Sequence, residues 1–241
     1  MPGVLHCLGM GPGDPELLTL KAARILSLAR VVAFFAKRGR QGHARRIASG
    51  HIAPDAEELR FEYPYTTEIP LDDARYEPAL RAFYEVSACR VAHRLDAGED
   101  VALLCEGDPF FYGSAMYVFD RLARAYPSEV VPGVTGMSGC WAEARLPMTH
   151  GDDVLTVLPG TMDEASLAAR LAASDAAVIM KVGRNLPKIR SALRTAGLAD
   201  RAVYVARGTM PDSRVTMLSE LADEAAPYFS LVLVAGRQRA R

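Results

Sequence analysis

Apolar residues in the first half of this chain form short, nearly unbroken runs over 4–9, 30–36 and 101–105, the pattern of strands buried on both faces. A shorter run covers 129–131, and 59–63 alternates as a half-buried strand does. Between these runs the apolar spacing becomes helical. It predicts helices over 16–29, 43–49, 74–97 and 114–125. The first is expected to turn Leu17, Leu20, Ala23 or Arg24 and Leu28 to one side, and Ala97-Gly98 closes the third as a helix C-terminus. In the second half the runs 153–158, 176–180, 201–205, 215–218 and 229–234 read as a five-stranded sheet, with helices over 163–172 and 185–196. The fold class that follows is α/β, in two α/β domains with a ligand-binding cleft between them. The polar stretch 147–153 sets the expected boundary, giving domains 1–148 and 149–241. No internal repeat or low-complexity segment interrupts the pattern.

Two of the strands run into loops of unusual composition. Strand 4–9 leads into Gly9-Met10-Gly11-Pro12-Gly13-Asp14-Pro15. Strand 101–105 leads into Glu106-Gly107-Asp108-Pro109-Phe110-Phe111-Tyr112-Gly113. Glycine lets backbone approach a ligand closely, and open α/β sheets bind ligands beyond the carboxyl ends of their strands. Either loop alone could be a tight turn; the pair in one chain points to a ligand. That ligand is not expected to be a nucleotide phosphate. Asp14 stands where a dinucleotide fingerprint has its third glycine, Pro12 lacks an amide hydrogen, and no Gly-Lys-Ser/Thr loop is present.

These loops resemble the signatures of the tetrapyrrole (corrin/porphyrin) methyltransferases, and Pro132-Gly133-Val134-Thr135 is similar to a third signature of that family. The resemblance runs from about residue 4 to about residue 236. It implies S-adenosylmethionine (SAM) as cofactor, S-adenosylhomocysteine as its product and a homodimeric enzyme. It also implies cofactor contacts at Pro12, Gly107, Asp108, Thr135, Gly136, Met180, Gly208 and Thr209. Residues 33–37, 63–68, 105–113, 178–185 and 227–230 resemble the branch that methylates C20 of precorrin-2 on the way to cobalamin. They differ from the uroporphyrinogen C2/C7 branch, whose second loop reads Gly-Gly-Asp-Pro; here Glu106 replaces the first of those glycines. The same reaction on the cobalt complex, or a superfamily methylase acting on RNA or protein, stands as the alternative.

Composition narrows the partners. Half of the 241 residues are hydrophobic, 24% are charged, and the net charge is −1, so no global field draws nucleic acid or an anionic membrane. Neither a signal peptide nor an apolar run long enough to span a membrane is read, and a cytoplasmic location is expected. Cys7, Cys89, Cys105 and Cys140 make no CxxC pair, so neither zinc nor a redox dithiol is expected; Cys7 and Cys105 sit inside apolar strands as reduced thiols.

Positive charge is concentrated in residues 37–46, which hold five Lys/Arg and one His. Such a run is ordinarily a solvated face. Beside the cofactor loops it is also suited to the carboxylates of an acidic tetrapyrrole, which arginine forks bind in bidentate fashion. Lys37, Arg38, Arg40 and Arg45 are the candidate substrate contacts, with Lys181 and Arg184 from the second domain. Residues 61–80, rich in aromatics and proline, are the candidate wall that orients the ring. Glu106, Asp108 and Tyr112 are candidates for a proton-handling group, with none assigned; the chemistry calls for no metal.

Overall fold

The computed structural model describes residues 1–66, 68–69, 73–222 and 225–236. They form two compact units, Met1–Gly136 and Met137–Arg241.

In the first unit β1 (Leu5–Gly9), β2 (Val31–Lys37), β3 (Glu57–Tyr63), β4 (Val101–Cys105) and β5 (Ser128–Val131) form one sheet in the order β3-β2-β4-β1-β5. Every pair is parallel, so all five strands end at the same edge. The unbroken apolar runs have a direct cause. Val31, Ala33 and Phe35 of β2 pack toward α3 (Tyr76–Asp96) and α4 (Ala115–Leu122), meeting Val91, Leu95 and Val118. Val32, Phe34 and Ala36 pack the other way, against Ala22 and Leu26 of α1 (Leu20–Leu28) and Ala44 and Ile47 of α2 (His43–Ile47). A strand covered on both faces has no polar side to show.

The second unit opens with α5 (Gly136–Glu143), whose first residue closes the first unit. Then follow β6 (Leu155–Pro159), α6 (Glu164–Ala172), β7 (Ala176–Met180), α7 (Leu186–Thr195), β8 (Ala202–Ala206), β9 (Arg214–Met217) and β10 (Ser230–Val234). The sheet order is β6-β7-β10-β8-β9. β6 runs parallel to β7, while β10 runs antiparallel to both β7 and β8. Consequently β6, β7 and β8 share a direction and end at one edge. Leu167 and Leu171 of α6 and Ile189 and Leu193 of α7 cover one face; Cys140 and Met148, with Met137 and Trp141, cover the other.

Three expectations change. The first helix starts at Leu20, not 16, because Pro15–Leu17 is a 3-10 turn and the Thr19 hydroxyl caps the amide of Ala22. Its buried face is Ala22, Ile25 and Leu26, while Leu20 and Leu28 are 91% and 73% exposed. The division between units falls at Gly136/Met137 and not at 148/149, because Met137, Trp141, Leu146 and Met148 belong to the second core and Met148 O accepts the amide of Gly236. Helix α5 was not foreseen: two glycines in its first turn hide a face that turns Met137, Cys140 and Trp141 to the sheet.

Candidate functional site

β1 and β4 are hydrogen-bonded neighbours in the first sheet, so their loops leave the same edge side by side. The two loops are bonded to each other. The Gly107 amide donates to Gly11 O at 2.8 Å, the Gly11 amide to Gly107 O at 3.3 Å, and the Met10 amide to Cys105 O at 2.9 Å. Gly11 has φ +76° and Gly107 φ +64°, the left-handed region that glycine enters at no steric cost. The loop after β5 joins them. A Cβ on Gly133 would collide with Gly107 O, and one on Gly9 would lie 2.5 Å from the Gly133 amide nitrogen. Gly9 and Gly133 therefore let three backbones meet where a side chain on either would not fit.

Asp108 fastens this junction. Its Oδ2 accepts the Gly133 amide at 3.1 Å and its Oδ1 the Phe110 amide at 2.9 Å. Both oxygens serve backbone, so Asp108 acts as a brace between loops. Gly136, at the end of the same loop, has open space where a Cβ would stand, so its backbone can be approached by a ligand. Pro12 and Thr135 are partly buried in the same loop cluster. The structure thus brings Pro12, Gly107, Asp108, Thr135 and Gly136 together at one edge of the first sheet.

Glu106 and Tyr112 behave differently from each other. Glu106 is partly buried; burial pushes its carboxyl above the ordinary carboxylate range, against the opposing pull of its own amide and that of Ala44. The Ala44 amide donates to Oε1 at 3.2 Å. Tyr112 is exposed, adopts φ +56° and packs edge-on against Phe111. Beyond them the Ser114 hydroxyl accepts from Tyr63 at 2.6 Å and Tyr84 at 3.1 Å, fixing the start of α4.

The cationic segment is less uniform than its sequence implies. Lys37 pairs with Glu68 at 2.7 Å, and Arg45 with Glu58 at 2.7 Å. Arg38 and Arg40 are exposed on the turn between β2 and α2, and neither makes an ion pair with a described residue. The candidate wall 61–80 divides. Phe61 is 2% exposed inside the core, Tyr63 ends β3, and residues 67 and 70–72 lie outside the described residues.

In the second unit Met180 and Lys181 leave β7, and Gly208 and Thr209 follow β8, at the common strand-end edge. The Gly160 amide donates to Met180 O at 2.7 Å. A Cβ on Gly208 would lie 2.7 Å from Cys140 Sγ. Lys181, Arg207 and Thr209 all have positive φ. Three such non-glycine residues at one edge store backbone strain that ordinary turns avoid. Arg184 is exposed just beyond Lys181. The sequence pattern gave no sign of Arg207 or of the Ser114 hydroxyl. Neither a left-handed arginine nor a long-range hydroxyl bond leaves a local signature.

A glycine-laced junction at the strand ends, without a phosphate loop, is a candidate ligand site of an α/β protein. The family model for tetrapyrrole (corrin/porphyrin) methylases matches residues 4–222, and the chain belongs to that family. It is 58% identical over 234 residues to the precorrin-2 C(20)-methyltransferase of a Sinorhizobium species, a match covering 97% of this chain and 96% of that protein. It is 31% identical over 239 residues to the cobalt-precorrin-2 C(20)-methyltransferase of Salmonella typhimurium, covering 97% of each. A uroporphyrin-III C-methyl transferase from Thermus thermophilus, solved in complex with S-adenyl homocysteine, matches the structure with a TM-score of 0.68 at 26% identity, over 96% of this chain and 97% of that one.

Proposed function

We propose that this chain transfers a methyl group from SAM to C20 of precorrin-2, giving precorrin-3A in cobalamin biosynthesis. The observation that carries the reading is the end-to-end likeness to the Sinorhizobium enzyme, which includes the loops bonded through Gly11 and Gly107. The weaker likeness to the cobalt-precorrin enzyme favours the metal-free substrate.

The residues present suit SAM, which carries no phosphate and needs backbone donors and acceptors for its adenosine and amino-acid ends. Glycine backbone lies at the strand-end junction, and the open space beside Gly136 gives a ligand access to it. When bound, SAM supplies an electrophilic methyl group on sulfur. The chain's own work is placement. Pro12, Gly107, Asp108, Thr135 and Gly136 are the proposed cofactor contacts in the first unit; Met180, Gly208 and Thr209 are proposed on the family resemblance. Arg38 and Arg40 supply the carboxylate contacts, with Lys181 and Arg184 as further candidates. The meso carbon of a reduced tetrapyrrole is an enamine-like nucleophile, so orientation rather than a strong base sets the rate. Asp108 is already committed to two amides and is not assigned as a base.

Among the described residues no helix is long and apolar enough to cross a membrane. A cytoplasmic homodimer is part of the same proposal, on the family resemblance. Light scattering should then read about twice the 26.1 kDa of one chain.

The reaction is tested by giving the purified protein SAM with precorrin-2 and, separately, with its cobalt complex. Mass spectrometry should show one added methyl on the metal-free ring, formed faster than on the cobalt ring. No methylation of either ring, or preference for the cobalt complex, would overturn the assignment.

A further inference from the structure

Glu106 links the two features on which the proposed reaction depends. β2 and β4 are neighbours in the sheet, so the cationic turn after β2 and the glycine loop after β4 emerge together. The turn folds back tightly: the Arg40 amide donates to Lys37 O at 2.9 Å. Gly42 follows with φ +83°, at a position where a Cβ would lie 2.6 Å from Phe35 O. Gly42 is also the N-cap of α2, and it has no side chain to accept an amide of the first turn. Ala44 is only 1% exposed, so its amide has little recourse to water. The acceptor comes from 62 residues away, as Glu106 Oε1 at 3.2 Å.

We infer that Glu106 is a positioning residue for the acidic ring: its carboxyl holds the first turn of α2, and through it the Arg38–Arg40 turn, in register with the Gly107–Asp108 loop. The identity of the ring rests on the proposed function; the tie itself does not. The role differs from proton transfer, because it needs an acceptor oxygen at Oε1 and no change of charge. A glutamine keeps that oxygen, whereas an alanine removes it.

The experiment compares E106A, E106Q and E106D with the natural enzyme. Hydrogen exchange by mass spectrometry follows the peptide covering residues 42–48, and steady-state kinetics use SAM and precorrin-2. E106A should speed exchange in that peptide at least tenfold and raise KM for precorrin-2 at least tenfold, with kcat and SAM affinity within about twofold. E106Q should bring exchange and KM back to within about threefold of the natural enzyme and keep the same pH profile of kcat. E106D, which shortens the reach and keeps the charge, should raise KM without lowering kcat, and it carries the test if E106A does not fold. A hundredfold fall in kcat for E106Q with loss of one limb of the pH profile would make Glu106 a proton-transfer group and overturn the inference. Unchanged exchange and KM in E106A would overturn it too. If the natural enzyme does not methylate precorrin-2, the function fails, and the exchange data still decide whether the tie exists.

Discussion

Asp108 shows how one side chain can serve a site by holding its loops together. Its two oxygens take amides from two loops, so removing the carboxyl frees both. Losing a charge-assisted hydrogen bond costs about 1.5–3 kcal/mol. D108A should therefore weaken SAM binding at least tenfold by calorimetry and lower the urea midpoint, with D108N between it and the natural protein. Natural affinity and midpoint in D108A would show that the brace is dispensable. Buried titrating groups make a second demand at this scale. Burial pushes the Cys7 and Cys140 thiols from 9.0 to about 12 and the Tyr84 phenol from 10.0 to about 12. Each is a raised value, so the folded protein keeps a proton that the unfolded chain releases. Their contribution is whole below the unfolded values and is lost as pH rises through the folded ones. Urea midpoints should fall steadily from about pH 9 to about pH 11, and less steeply in Y84F above about pH 10. The same slope in both proteins would contradict the burial of that phenol.

Among the elements, β2 and the turn to α2 carry the recognition argument. The sequence places five cations in residues 37–46, but the fold sorts them by what stands nearby. Lys37 meets Glu68 and Arg45 meets Glu58 of β3, while Arg38 and Arg40 stay exposed. The R38A/R40A pair should weaken tetrapyrrole binding by about 1.5–3 kcal/mol for each charge-assisted hydrogen bond removed, with SAM binding unchanged. R45A breaks a partly exposed ion pair and should cost at most about 1 kcal/mol of stability. Fluorescence titration with the tetrapyrrole compares the variants, and equal effects of R45A and R38A/R40A on binding would show that the pairing does not sort the cluster. The charge run was legible in sequence, but its partition was not, because Glu58 and Glu68 reach it only through the fold. Helix α1 teaches the same lesson. Its helical period was plain, yet the face was misjudged, since Leu20 and Leu28 look apolar in sequence and stand in solvent. Thr19 and the 3-10 turn before it set where the helix begins, and so which residues face the sheet.

At the scale of the whole molecule, β2 and β4 of the first unit and β7 of the second were readable because burial on both faces leaves almost no polar position in them. The glycine loops were readable as well, since their composition is rare and their place after a strand is fixed by the sheet. The division of the chain was misplaced because polarity at 147–153 marks a loop inside the second unit, and Met148 is already core. The long-range ties from Asp108 to Gly133 and from Glu106 to Ala44 had no sequence signature at all. They depend on strand order, which puts β4 between β1 and β2. On the proposed function these parts serve as backbone loops for SAM, an arginine turn for carboxylates, and placement in the role of catalyst. Position on the ring is the most demanding consequence, because a reduced tetrapyrrole offers several nucleophilic carbons and only the way it is held selects one. The direct measurement is NMR of the product formed from precorrin-2 and SAM carrying a carbon-13 methyl. The account predicts a single new methyl resonance assigned to the C20 meso bridge. A resonance at C2, C7 or C17, or two labelled methyls per ring, would contradict it.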